Sequence, residues 1–399
     1  MDRRRFLQNS LALFAAMLVV NVLNYGYALI LGRWLGPTEY GSYAAFMSLF
    51  LLLTVLPLSL QQVGARYAAA GSSALTYTRL QALRLGGTLG LALALLSFPL
   101  GQLSALPPLW YIVLGAFLPL YALLGAARGE IQGRQQHSQL GNNMVLEHLS
   151  KIILTFPALL ILPGATAAVV ATLVGVGVAL GVLGKTLRAQ GPSRPEGGYV
   201  LATGSNLLAQ ALILNADVLL AKALLEPTQA GLYAAVAMIG RIVFYGSWAV
   251  SMAVFPMVAQ AHAQGQNTAR LLGWAFSSVA LISLAFVGVC AAVPEWVVEV
   301  LFGPGYLAAA SLVAPYALMT TLYALANVIS NHLLAQGYGQ VGWWGLGAGL
   351  LQLLLMSAWH SSGQELIVAQ MVAKGLLLLG FMLLIAQQVL RYGRPYVLR

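Results

Sequence analysis

Apolar stretches of about twenty residues recur from one end of this chain to the other, each long enough to cross the ~30 Å hydrocarbon core of a bilayer as a helix. Twelve can be placed, at about 11–32, 41–63, 81–101, 109–127, 143–162, 166–184, 200–222, 231–255, 271–293, 307–329, 341–359 and 366–388. The strands of a membrane barrel would instead be alternating runs of roughly ten residues, and the sequence has none. Only 8% of the 399 residues are charged, whereas a soluble domain carries roughly a quarter. The expected fold class is an all-α polytopic membrane protein.

The few charges are unevenly placed. With loops assigned alternately to the two sides, one side collects fourteen cations: Arg3, Arg4, Arg5, Arg66, Arg79, Arg128, Arg134, Lys185, Arg188, Arg194, Arg270, Arg391, Arg394 and Arg399. The other receives only Arg33 and Lys222. This positive-inside asymmetry puts both termini in the cytoplasm and makes the number of spans even. It also reads the net charge of +10 as topology. Nucleic-acid binding is not expected, because no basic patch carries interleaved stacking aromatics. The opening "RRRFLQ" is similar to a twin-arginine export signal. The apolar run behind it exceeds the short core of a signal peptide, so an uncleaved first span is expected. The single Cys290 lies inside the ninth span, which excludes an intrachain disulfide and a thiol metal site.

One loop is written twice. "LGPTEYGSYAA" at 35–45 and "LEPTQAGLYAA" at 225–235 agree at seven of eleven positions with a constant offset of 190. The first joins helix 1 to helix 2 and the second helix 7 to helix 8. Proline suits the start of a helix, and glycine lets helices approach closely in a bilayer. A weaker echo pairs Gln132 and Gly133 after helix 4 with Gln336 and Gly337 after helix 10, the larger offset fitting the longer outer loop "PEWVVEVLFGPGY". Six helices are thus followed by six more in the same orientation. The expected organisation is an N-terminal six-helix bundle (1–190), a cytoplasmic linker "KTLRAQGPSRPEGG" (185–198) and a C-terminal six-helix bundle (199–399). Two such bundles, related by a pseudo-two-fold axis along the membrane normal, are a transporter design with substrate bound between the halves.

Several segments resemble a known family. "LGPTEYGSYAA", "ARGEIQGRQQHSQLGNNMVLEHLSKI", "NADVLLAKALLEPTQAGLYAAVAMIGRI" and "LFGPGYLAAASLVAPYAL" look like the polysaccharide-transport branch of the multidrug/oligosaccharidyl-lipid/polysaccharide flippase superfamily. The resemblance implies a multi-pass protein of the bacterial inner membrane. Such a protein flips an undecaprenyl-pyrophosphate-linked oligosaccharide outward by alternating access, for cell-surface polysaccharide biosynthesis. It implies as partners that lipid-linked oligosaccharide, membrane lipids and other polysaccharide-assembly proteins. The lipid II flippase branch usually carries fourteen helices, against twelve here.

Polar residues inside the spans indicate where a substrate could lie, since ionisable groups in hydrocarbon usually face a bundle interior or an aqueous cavity. At ~100° per residue, Asn206, Gln210 and Asp217 share one side of helix 7. Asn143, Glu147 and Lys151 do the same on helix 5, as do Arg241, Tyr245 and Trp248 on helix 8. Helix 10 offers Tyr316, Thr320, Tyr323 and Asn327, helix 12 Gln370 and Lys374, and helix 1 Asn21, Asn24 and Tyr25. The candidate substrate-cavity residues are Arg241, Lys374, Lys151, Asn24, Asn206, Gln210, Tyr245, Tyr323 and Asn327, with Asp217 and Glu147 as candidate ion-coupling groups. Each amide could equally be interhelical hydrogen-bond glue, and Glu147 and Lys151, four residues apart, could neutralise each other. Asp217 lies ten residues before the centre of the second repeated turn and Arg241 fourteen after it, so the two are expected at similar depth and in contact.

An enzyme would need a convergent nucleophile, base or metal set. The five histidines are scattered, no Walker-type glycine loop exists, and the outer loops are short. No enzyme activity, cofactor or metal is expected. A flippase needs cations for pyrophosphate and aromatic and amide groups for sugars. The alternative, a cation-coupled multidrug or small-molecule exporter of the same superfamily, would carry acidic groups in its cavity. Cysteines placed singly at Thr38 and Thr228 in a Cys290-free background should label with a membrane-impermeant thiol reagent in intact cells, and one at Gln190 should not. Equal labelling at Gln190 overturns the two-half topology.

Overall fold

The structure is a computed structural model that describes residues 3–186 and 197–392. Most of the expected linker (187–196) and the extreme termini lie outside the described residues. Helices follow in the order α1 (Arg3–Leu53), α2 (Val55–Ala69), α3 (Leu75–Leu95), α4 (Ser97–Ser104), α5 (Pro108–Gly133), α6 (His137–Ala158) and α7 (Gly164–Leu183). Then come α8 (Gly197–Leu224), α9 (Pro227–Ala263), α10 (Ala269–Ala292), α11 (Pro294–Phe302), a 3-10 turn (Pro304–Ala309), α12 (Ala310–Ala335), α13 (Val341–Ala358) and α14 (Gly363–Tyr392). Among the described residues there is no strand.

Nine of these elements are long and apolar enough to cross a membrane, or ten with α3 and α4 taken together. One of them, Ala15–Ala69, is two passes. Gly36 breaks α1 with φ 69° and ψ 174°, a conformation that favours glycine. The rings of Tyr27 and Tyr43 then meet with centroids 6.1 Å apart, although sixteen residues of continuous helix would separate them by ~24 Å. The remaining pass is α6, less apolar than the others because it carries Asn142, Asn143, Glu147, His148 and Lys151. The protein is an all-α polytopic membrane protein of twelve membrane helices in two six-helix bundles.

Boundaries differ from expectation in three places. The second pass starts at Pro37 and is interrupted only at Thr54. The third, expected at 81–101, is α3 ending at Leu95, followed by α4 at a 69° bend. The outer loop "PEWVVEVLFGPGY" is ordered as α11 and the 3-10 turn. In the last two cases a short apolar helix continues the hydropathy signal past the bend, which hydropathy alone cannot register.

The chain divides into two compact units, unit 1 (Met1–Ala211) and unit 2 (Leu212–Arg399). Inside unit 1, α5 packs on α2 and α3, and α6 on α7. Inside unit 2, α12 packs on α9 and α10, and α13 on α14. The same order of partners therefore recurs, as the sequence repeat requires.

Between lipid-soluble surfaces the hydrophobic effect gives little drive, so close van der Waals approach decides which helices pair. Helix α5 supplies this with Gly125, Gly129 and Gly133, one on each successive turn. A Cβ at these positions would lie 2.2 Å from Pro57 O, 2.5 Å from Gln61 O and 2.3 Å from Ala65 O, all on α2. On its other side, a Cβ on Gly115 would lie 2.3 Å from Gly90 O of α3. Gly129→Ala should therefore destabilise the protein by about 1–3 kcal/mol, the usual cost of overpacking. Gly87→Ala on α3, with open space around its Cβ, should be neutral or stabilising by up to ~1 kcal/mol. Thermal unfolding in detergent micelles reads both, and equal behaviour of the two variants would remove the glycine contact as the cause.

Candidate functional site

In unit 2 the repeated turn sets the site. Pro227 opens α9, so the chain reverses and brings α9 back along α8. Arg241 Nη2 reaches Asp217 Oδ1 at 2.8 Å, the contact that the depth arithmetic requires. Asp217 is 1% exposed and collects two further donors on Oδ2: the Tyr316 hydroxyl at 2.6 Å and the Tyr233 hydroxyl at 3.4 Å. Tyr316 comes this close because residue 240 is glycine, where a Cβ would strike its ring at 2.2 Å. The network continues into α14. Gln370 Nε2 donates to Tyr233 Oη at 2.6 Å, and Lys374 Nζ donates to Gln370 Oε1 at 3.0 Å and to Met319 Sδ at 2.9 Å. The Lys374 ammonium also lies 5.9 Å from the centroid of Tyr323.

Unit 1 holds a second network. On α6, Leu140, Asn143, Glu147, Lys151 and Thr155 are buried, the face that helical spacing predicts. Arg128 of α5 donates from Nε to Asn143 Oδ1 at 2.9 Å and from Nη2 to Glu147 Oε2 at 2.6 Å. Asn143 in turn donates to Ala179 O of α7 at 2.8 Å. Lys151 Nζ donates to Asn24 Oδ1 of α1 at 2.7 Å and lies 4.7 Å from the Tyr27 ring centroid. The Tyr27 and Thr155 hydroxyls are 2.6 Å apart.

Arg128 is a correction to the sequence reading. Counted there among loop cations, it is buried in α5 and ion-paired across to α6. Its position six residues before Arg134 made it look like part of a basic loop, but α5 runs on to Gly133. Glu147 accordingly pairs with Arg128, and Lys151 forms no ion pair among the described residues.

The structure gathers Asp217, Arg241, Lys374 and Tyr323 in unit 2, and Glu147, Lys151 and Asn24 in unit 1. Other candidates stand apart. Asn206 and Gln210 are half-buried on α8, and no hydrogen bond among the described residues brings either into the unit 1 network. Tyr245 is 41% exposed, its ring against Phe244. Asn327 is buried, and its carboxamide nitrogen has no partner among the described residues. The sequence reading missed Tyr233 and Arg128 as site residues. Tyr233 was visible as the tyrosine of the repeated loop, whose counterpart Tyr43 is also buried, against Tyr27.

Paired and hydrogen-bonded charge held inside membrane helices, in two like bundles, places the protein in the class of polytopic α-helical membrane proteins with a charged interior. The chain belongs to the polysaccharide biosynthesis protein family, which matches residues 6–262. No curated protein sequence matches it. Among solved structures, the fold is similar to the inward-facing form of a multidrug resistance MATE family transporter of the MOP superfamily. The TM-score is 0.76 at 14% identity, over 94% of this chain and 96% of the other. It is similar to the lipid II flippase MurJ in an inward closed conformation, with TM-score 0.75 at 12% identity, over 94% and 87%. A MOP superfamily transporter from Pyrococcus furiosus, described as having a binding pocket of reverse polarity, matches with TM-score 0.61 at 17% identity, over 96% and 95%.

Truncating Asp217 to alanine leaves the Arg241 guanidinium buried without its carboxylate, and should cost about 3–5 kcal/mol. The double variant Asp217→Ala/Arg241→Ala should recover part of that loss. Unfolding midpoints of the purified variants check it. A double variant no more stable than Asp217→Ala alone would show that the ion pair is not the reason for the loss.

Proposed function

We propose that this protein flips a lipid-linked oligosaccharide, carried on undecaprenyl pyrophosphate, across the bacterial inner membrane by alternating access of its two six-helix halves (1–190 and 199–399, joined by 185–198). Membership of the polysaccharide biosynthesis family supports this reading, as does a fold of the kind that carries the lipid II flippase. One observation carries it furthest. Each unit pairs its buried carboxylates with arginines (Glu130 with Arg134 and Glu147 with Arg128 in unit 1, Asp217 with Arg241 in unit 2) and then adds a mid-span lysine, Lys151 or Lys374, that forms no ion pair among the described residues. The interior is left with surplus positive charge, the sign that a pyrophosphate requires. A multidrug exporter of organic cations, the reading that the MATE neighbour favours, needs the opposite sign.

In this scheme Arg241, Lys374 and Lys151 attract the pyrophosphate. Asn24, Asn206, Gln210, Tyr245, Tyr323 and Asn327 offer amide and aromatic surface to sugars. Asp217 and Glu147, each held by an arginine, take up a proton or cation when the anionic substrate competes for that arginine. The partners are the lipid-linked oligosaccharide, membrane lipids and other polysaccharide-assembly proteins.

Deletion of the gene should make undecaprenyl-linked oligosaccharide accumulate on the cytoplasmic face of the membrane, with surface polysaccharide lost. Wild-type protein should restore export. Arg241→Ala should not, at equal membrane abundance, and neither should the swapped pair Asp217→Arg/Arg241→Asp, which moves the cation to the wrong helix. No accumulation on deletion overturns the flippase reading, and full export by the swapped pair reduces Arg241 to a structural partner.

A further inference from the structure

Helix α3 packs on α5 and α2 and buries Ala82, Gly86 and Gly90. Its opposite side is exposed and mostly leucine, with Leu80, Leu83, Leu85 and Leu89 among the uncovered residues. A polar stripe runs along that side. Tyr77, Gln81, Arg84 and Thr88 recur at intervals of four, three and four residues, which at ~100° per residue keeps all of them within about 60° of one another. Arg84 and Thr88 are exposed, Tyr77 and Gln81 half-buried. Thr88 Oγ1 donates to Leu85 O of its own helix at 3.1 Å. The side chains of Tyr77, Gln81 and Arg84 make no hydrogen bond or ion pair among the described residues.

Contacts with α5 fix the depth of Arg84. A Cβ on Gly90 would meet Gly115, and one on Gly86 would meet Pro119. The two helices therefore run antiparallel, and Arg84 lies level with Tyr121. That residue is thirteen positions from Pro108 and twelve from Gly133, the middle of α5. Half of a ~30 Å hydrocarbon core is ~15 Å, too far for one side chain to lift its charge clear. A charge at that depth is costly unless headgroups and water come down to meet it. The helix sets the direction of approach, because Cα–Cβ bonds lean toward the helix N-terminus. Arg84 thus leans toward Gln81 and Tyr77, about 4.5 Å and about 10.5 Å nearer that end. Arg66 of α2 and Arg134 after α5 lie at the same end of the unit.

We infer that the exposed side of α3 binds an anionic phospholipid from the leaflet at its N-terminal end, with the lipid phosphate drawn below the headgroup plane onto Arg84. A guanidinium meets a phosphate with two parallel N–H donors. The Gln81 carboxamide and the Tyr77 hydroxyl add neutral donors along the path of the headgroup, and the flanking leucines meet the acyl chains. The bilayer is thinned locally where the headgroup descends. A lipid fits this surface better than a partner helix does. Membrane helices associate through small residues, and Gly86 and Gly90 are already spent on α5. The site lies on the outside of unit 1 and shares no residue with the interior networks, so it stands whether or not the protein is a flippase.

Native mass spectrometry of the full-length protein, titrated with phosphatidylglycerol in detergent micelles, tests the site by counting bound lipids and giving their affinities. Wild-type protein should hold one phosphatidylglycerol more tightly than the rest, and more tightly than it holds phosphatidylcholine. Arg84→Leu continues the leucine surface, and Arg84→Gln keeps a polar side chain. Each should weaken that first binding by about tenfold, the order of one charged hydrogen bond. Arg270→Gln, which removes an exposed cation from α10, should leave it unchanged. In the same micelles, phosphatidylglycerol should raise the unfolding temperature of the wild type more than that of either Arg84 variant. Unchanged first-site affinity in both Arg84 variants overturns the site. An equal loss with Arg270→Gln also overturns it, by reducing the effect to net charge. A wild-type dimer that Arg84→Leu converts to monomer does the same, by giving this face to a second copy of the chain.

Discussion

An ionised side chain has no good place in hydrocarbon, and that single penalty organises both bundles. On insertion scales a charge at the centre of a helix costs ~2.5–3.5 kcal/mol, so every mid-span charge inside a bundle must meet a partner on a neighbouring helix. Arg128 ties α5 to α6, and Arg241 ties α8 to α9. Lys151 ties α6 to α1, and Lys374 bonds within α14 and to Met319 of α12. The glycines of α5 serve the same end. By letting α2 and α5 touch backbone to backbone, they fix the axis from which Arg128 reaches Glu147. Packing and charge pairing are one problem here, because a shift of α5 by a single methyl group would also move a buried guanidinium.

The repeated loop explains why the two units share a plan and where they part. A turn at Gly36 or Glu226, followed by Pro37 or Pro227, folds two helices together so that positions sixteen apart meet. In unit 1 these are Tyr27 and Tyr43, whose rings pack edge to face. In unit 2 the positions 190 residues later are Asp217 and Tyr233, joined by a hydrogen bond. One position, tyrosine in one copy and aspartate in the other, converts an aromatic contact into an ionic centre that then recruits Arg241 and Tyr316. The backbone solves the turn twice by different routes, with a positive φ at Gly36 and an extended Glu226 at ψ 145° before proline, the conformation that proline imposes on its predecessor.

Much of this was legible in the sequence because hydrophobic length and helical period are local properties. The twelve passes, the buried face of α6 and the meeting of Asp217 with Arg241 all follow from counting residues along one or two helices. What was not legible depends on a third helix. Glu147 and Lys151 are neighbours on α6, and only the position of α5 decides that Glu147 turns to Arg128. Arg128 itself looks like a loop residue until α5 is seen to continue to Gly133. The 69° bend between α3 and α4 leaves the apolar pattern unbroken, and Gln370 becomes a bridge between Tyr233 and Lys374 only because α14 packs near α9.

The fold by itself does not choose a cargo, since a multidrug transporter and a lipid II flippase match it almost equally, with TM-scores of 0.76 and 0.75. The choice must come from the chemistry of the interior, and there the division of labour between arginine and lysine is informative. A guanidinium presents its donors in a rigid planar fork, and Arg128 and Arg241 each commit one Nη2 of that fork to a carboxylate of an adjacent helix. An ammonium is a compact point charge on a flexible stem, free to redirect its three donors. Both mid-span lysines rest on a carboxamide oxygen and beside a tyrosine ring, contacts weaker than any that a phosphate oxygen would make with an ammonium. They are reached from unrelated helices, α6 in one unit and α14 in the other, so the repeat did not supply them as copies. Each unit thus sets an arginine–carboxylate pair near a lysine whose ammonium rests on a carboxamide oxygen and beside a tyrosine ring, so the same combination of side chains is reached in the two units from helices that the repeat does not relate.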